Sequence, residues 1–128
     1  MATTTATITI NSTDLLTDVL SLSTTATLTK AGTATGLESV SGLSRKTTGS
    51  TNIYTLFDGD AYGDGAHKIY LKNTETTAGL YFRIFMQDEQ IGKLYAGDWA
   101  FFPWHASQNI VVAADSGTPV LEYAIFEA

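Results

Sequence analysis

The residues with most chemical promise run consecutively, Asp58-Gly59-Asp60-Ala61-Tyr62-Gly63-Asp64-Gly65. Hard cations such as calcium take carboxylate and carbonyl oxygens from a flexible, glycine-rich loop, and Asp58, Asp60 and Gly63 stand at positions one, three and six of such a loop. Tyr62 then replaces the position-five ligand, and Ile69 stands where the bidentate glutamate belongs. The segment is therefore expected to be an acidic turn between two strands. The chain has two histidines, His67 and His105, whereas zinc or iron asks for three or four donors in defined geometry. No metal site is expected of them. Serines and threonines abound, but no G-x-S-x-G elbow occurs, and either histidine would need tertiary structure to bring it a Ser and an Asp. Asp88-Glu89 reads more naturally as a hairpin turn than as the carboxylate pair of a glycosidase. With no cysteine, disulfides, thiolate metal sites and cysteine nucleophiles are excluded. The chain is expected to be no enzyme and to carry no cofactor.

The rest of the composition agrees with a structural or binding role. Charged residues make up 16% of the chain, against roughly a quarter in an ordinary soluble domain. Threonine and serine supply the missing polarity, giving a neutral, hydrogen-bonding surface that is readily buried against neighbours. The net charge of −6 repels phosphate, and the one basic cluster, Arg45-Lys46, is expected to be a solvated pair beside a turn, so nucleic acid is not an expected partner. Neither is a membrane. Met1-Ala2-Thr3-Thr4-Thr5 lacks a basic n-region and an apolar h-region, and no run of about 18 apolar residues occurs. Synthesis in a cytoplasm, with release only by lysis, is the expectation.

The elements that must position these residues read as strands. Ala6, Ile8 and Ile10 alternate with Thr7 and Thr9, so one face is apolar and the other bears hydroxyls. Asn11-Ser12-Thr13-Asp14 then offers capping residues ahead of Leu15, Leu16, Val19 and Leu20, a pattern for at most one short helix near residues 13–20. Leu20, Leu22, Ala26 and Leu28 recur at even positions and predict a second strand. Gly32, Gly36, Gly42 and Gly49 leave only short strands or ordered loops around Leu37-Glu38-Ser39-Val40 and Leu43-Ser44-Arg45-Lys46-Thr47. Further strands are predicted over Ile53–Phe57, His67–Lys72, Gly79–Gln87, Gly92–Tyr95, Trp99–Phe102, Asn109–Ala114 and Val120–Phe126. Short strands at this spacing predict an all-β, antiparallel sandwich of eight to ten strands, jelly-roll-like, in a single domain over residues 1–128.

Every Phe, Tyr and Trp lies at or beyond Tyr54. Tyr81-Phe82-Arg83-Ile84-Phe85-Met86 is expected to lie at the centre of the core, covered on both faces, and the last strand to pack on both sides. Residues 1–50, rich in Thr and free of aromatics, cannot fill a core of their own. They are expected to lie on the aromatic half, residues 51–128, or to extend as an arm over a neighbouring subunit. The run Trp99, Phe101, Phe102, Trp104 has two readings: a buried strand with its turn, or a strand whose last member, Trp104, reaches a surface and anchors a partner.

Tyr95-Ala96-Gly97-Asp98-Trp99 followed by Phe101-Phe102-Pro103-Trp104-His105 is similar in rhythm to the turn and strand of cupin-type jelly rolls, without the histidine cluster those proteins use for metal. A longer pattern, Lys68-Ile69-Tyr70-Leu71-Lys72-Asn73, then Ile91-Gly92-Lys93-Leu94-Tyr95-Ala96-Gly97-Asp98-Trp99-Ala100-Phe101-Phe102-Pro103-Trp104, then Glu122-Tyr123-Ala124-Ile125-Phe126-Glu127, resembles small virion structural proteins of tailed bacteriophages, marine and cyanobacterial phages in particular. The resemblance implies a non-catalytic β-sandwich on the capsid surface, a decoration or cement protein that binds the major capsid protein and itself, as a homotrimer. The alternative is a tail, fibre or baseplate component that recognises a host carbohydrate. Ile8, Ile10 and Trp104 are the expected subunit or capsid contacts, and removal of the first eleven residues is expected to weaken assembly without unfolding the core.

Overall fold

The structure is a computed structural model that describes residues 3–14, 19–29, 32, 36, 37, 39–49 and 52–128. It is built of antiparallel strands, as the alternating sequence requires. The expected short helix falls largely on residues 15–18, outside the described ones; Leu20 already belongs to a strand.

The chain divides into two compact units, Met1–Leu37 and Glu38–Ala128. In the first, β1 (Thr4–Ser12) and β2 (Leu20–Leu28) form a two-stranded antiparallel ribbon in unbroken register. Thr7 and Thr9 stand opposite Thr25 and Ser23, and Ala6 and Ile10 opposite Ala26 and Leu22. The predicted division into a hydroxyl face and an apolar face is therefore present on both strands.

Among the described residues, the second unit holds nine strands in two sheets. One sheet orders β5 (Ile53–Phe57), β10 (Ile110–Ala114), β7 (Phe82–Met86) and β8 (Glu89–Leu94). The other orders β3 (Ser39–Val40), β11 (Val120–Glu127), β6 (His67–Asn73) and β9 (Trp99–Trp104), with β4 (Ser44–Thr47) also on β11. Because β3 and β4 pair with opposite ends of β11, at Phe126 and at Val120–Tyr123, they act as one interrupted edge strand. The eight resulting strands then lie 1-8-3-6 in one sheet and 2-7-4-5 in the other, which is the jelly-roll order.

Strand parity builds the core. Ile69 and Leu71 from β6, Phe82 and Ile84 from β7, Ile110 and Val112 from β10, and Leu121 and Ile125 from β11 are all buried in one cluster. β7 is central in its sheet, but only its inner face is in the core: Arg83 and Phe85 point outward and are half-buried, so the expectation of cover on both faces is corrected. β11 does pack on both sides, since outward-facing Ala124 is buried and Phe126 meets Phe101 at 6.0 Å. The predicted strand over Gly79–Gln87 begins only at Phe82, after a turn in which Gly79 takes φ +90°, a region open to glycine at little steric cost.

Candidate functional site

Alternating connections of the sandwich share an end, and one end gathers the loops 58–66, 87–88 and 105–109. The acidic loop lies here. Asp58 caps a short 3-10 turn, Gly59–Ala61, by accepting a hydrogen bond from the Asp60 backbone N–H at 3.1 Å. The Gly59 N–H donates to Asn109 Oδ1 at 2.8 Å, and a Cβ at Gly59 would lie 2.5 Å from the Ala106 carbonyl oxygen. Only glycine lets these two loops approach so closely. The three loop carboxylates face solvent, Asp64 standing 3.9 Å from His105 Nδ1. Among the described residues, no three of His, Asp and Glu converge to hold a metal ion.

What the loop does is close an aromatic cluster. Trp104 is 3% exposed, with ring centroids of Tyr62, His67 and Phe57 at 5.4, 5.8 and 5.9 Å, and Tyr123 lies 5.7 Å beyond Phe57. The Trp104 indole N–H donates to the Gln108 carbonyl at 2.8 Å. Of the two readings of the aromatic run, this burial fits the buried strand and corrects the candidate contact at Trp104: register puts it beside His67 on the inner face, while Trp99, on the outward parity of the same strand, is 51% exposed. Proline at 103 does not end the strand as expected, because Pro103 also sits on the outward parity of an edge strand, where a missing N–H is tolerated.

His67 is a structural member of this cluster. Its Nε2 bonds the Gly63 carbonyl at 2.8 Å and its Nδ1 accepts from the Ala128 N–H at 3.2 Å, which makes it a neutral imidazole protonated on Nε2. A Cβ at Gly65 would come 2.8 Å from Nε2, so glycine is needed for the loop to pass over the ring. Among the described residues, no serine or carboxylate is hydrogen-bonded to a ring nitrogen of His67. Tyr62, at the rim, has its pKa raised above the ordinary 10.0 by burial, then by the charge of Glu127 and by Tyr123.

The opposite end is held by a residue whose role the sequence did not signal. Asn73 is fully buried; its amide donates to the Leu80 and Leu94 carbonyls, each at 3.0 Å, and its Oδ1 accepts from the Glu75 N–H at 3.1 Å. Asparagine after a strand reads as an ordinary turn residue, and only the fold shows that it ties two loops together.

The expected contact residues of the ribbon are open. Ile10 is 51% exposed and stands opposite Leu22, 44% exposed, while Ile8 is half-buried opposite Thr24. On the hydroxyl face, Thr7 and Thr25 bond at 2.8 Å and Thr9 and Ser23 at 3.4 Å. Among the described residues, β1 and β2 pair only with each other. Arg45, expected to be solvated, is mostly so, though its guanidinium lies 3.3 Å from Glu122; Lys46 lies 4.3 Å from the ring centre of Tyr54.

No family model, no curated protein and no solved structure matches the chain.

Proposed function

We propose that this chain is a non-catalytic virion structural protein, a jelly-roll body that decorates or cements the capsid of a tailed bacteriophage and assembles through its N-terminal ribbon. The observation that carries the reading is the ribbon itself. A lone two-stranded hairpin is marginal in water, and this one leaves Ile10 and Leu22 open on its apolar face. Each strand also presents an outer edge with no lysine, proline, bulge or other charge to block further pairing, the devices by which soluble proteins protect an edge.

The occupant this surface suits is another copy of the chain. The strands carry no charge, so like ribbons meet without repulsion. If the β1 edge of one copy pairs with the β2 edge of the next, three ribbons close a six-stranded antiparallel ring that leaves no edge open and encloses the apolar faces, the closing heterologous contact of a cyclic trimer. The jelly-roll topology and the pattern around Lys68–Asn73, Ile91–Trp104 and Glu122–Glu127 support a place on the capsid. In that place Trp99, open on the outer face of β9, is the aromatic contact offered to the major capsid protein.

The test is copy number. Purified particles of the phage that encodes the chain are digested and the chain is quantified against the major capsid protein by mass spectrometry. Hundreds of copies per particle are expected; a few to a few tens would move it to the tail, and absence would remove the virion reading.

A further inference from the structure

We propose that the outer face of the β5-β10-β7-β8 sheet is a binding site for an acidic oligosaccharide. Register sets Arg83 on β7 directly opposite Lys93 on β8, and both point outward because their neighbours Phe82, Ile84 and Leu94 fill the core. Like charges opposite one another in a sheet are destabilising. In a chain of net charge −6 a carboxylate could easily have been placed between them, yet among the described residues neither cation has one within ion-pair distance. The Nε of Arg83 is buried without a hydrogen-bond partner, which adds to the cost of holding the guanidinium here.

Aromatic rings hold the pair in place. Lys93 Nζ lies 4.7 Å from the ring centre of Tyr81, which packs on Tyr95 at 5.0 Å, and the Arg83 guanidinium carbon lies 5.7 Å from that of Phe85. Tyr95 is 47% exposed, a flat surface on which the C–H face of a pyranose can stack. Phe85 continues the track: it also lines a groove of about 390 Å³ with Thr55, Gln87, Asp88 and Asn109. Asn109 Oδ1 is taken by the Gly59 N–H and Gln87 Oε1 by the Asn109 N–H, so their NH2 groups remain as donors beside the Asp88 carboxylate, a set suited to hydroxyls.

The order along the sheet, ring, cation pair, ring and hydroxyl-binding groove, fits a chain of sugars with one carboxylate or sulfate over Arg83 and Lys93. An inorganic anion would leave the groove unused. A peptide strand adds to a sheet edge through its backbone, whereas the rings, cations and groove gathered here lie on a sheet face. Two cations on an acidic protein are too few to hold nucleic acid. The site lies on the sandwich, needs no second copy, and does not depend on the virion reading.

The full chain is titrated calorimetrically with hexagalacturonate, a sulfated galactan hexamer, neutral cellohexaose, hexaglutamate and sodium sulfate. Binding of the uronate or the sulfated hexamer is expected, weakening as salt is added, and the stronger of the two identifies the acid group. Lys93→Gln is expected to weaken it about tenfold or more, as is Arg83→Gln; Tyr95→Ala weakens it too, and Lys72→Gln on the other sheet leaves it unchanged. Lys93→Gln, at an exposed position, is also expected to raise the melting temperature in low salt by about 1–4 °C through relief of the cation pair, which shows that lost binding is not lost folding. Failure of both acidic hexamers to bind, equal binding of cellohexaose, hexaglutamate or sulfate, or full binding by Lys93→Gln would overturn the site.

Discussion

Asn73 shows how much a single polar side chain can hold. It satisfies the Leu80 loop carbonyl, the Leu94 carbonyl at the end of β8 and the Glu75 N–H at zero exposure, and a buried group stripped of its partner loses about 1–3 kcal/mol. Asn73→Leu is therefore expected to destabilise the sandwich by about 2–4 kcal/mol, measured by urea unfolding; an unchanged midpoint would deny Asn73 this role. Tyr70 gives a pH dependence. Its pKa is raised above 10.0 by burial, then by the charge of Glu122, whose carboxylate also accepts its hydroxyl. A group with a raised folded pKa stabilises fully below its unfolded value and progressively less as pH climbs through the folded one. Stability should thus fall above about pH 10, and Tyr70→Phe should flatten that fall in a series of thermal melts; an unaltered slope would contradict the account.

At the scale of elements, the sequence was informative where periodicity was clean. Ala6, Ile8 and Ile10 against Thr7 and Thr9 located β1, and the bounds of β5 followed from Ile53–Phe57. It was misleading where hydrophobicity alone decided. The near-continuous run from Tyr81 to Met86 reads as doubly buried, but Arg83 and Phe85 shield one another on an open face. The sequence left Trp104 either buried or at a surface just past a proline, and only the fold shows that β9 runs through Pro103 and turns the indole inward. Such outcomes depend on which strand lies opposite, and pairing is a long-range property that no local pattern contains. The ribbon has the opposite character: its two faces are legible in sequence, and the exposure of Ile10 and Leu22 is visible only in the fold. Ile10→Asp should therefore break assembly and leave the sandwich's unfolding transition in place, as followed by near-UV circular dichroism. Loss of the transition itself would mean that the ribbon is part of the folding unit.

For the whole molecule, the all-β class follows from the spacing of strands and turns, whereas the 1-8-3-6 and 2-7-4-5 order emerges only from the register of β11 with β3, β4 and β6. The candidate sites were less legible still. The acidic loop drew attention through its carboxylates, but apart from the capping Asp58 the fold uses its glycines and backbone, and the Arg83–Lys93 pair needs β7 and β8 side by side to exist at all. A jelly roll by itself assigns no activity; the assembly reading rests on the ribbon. Native mass spectrometry of the purified full chain, beside Ile10→Asp, tests that reading most directly. The account predicts a species of three times 13.7 kDa for the unaltered chain and single chains for the variant, whereas a monomer from the unaltered chain, or a trimer that survives Ile10→Asp, would contradict it.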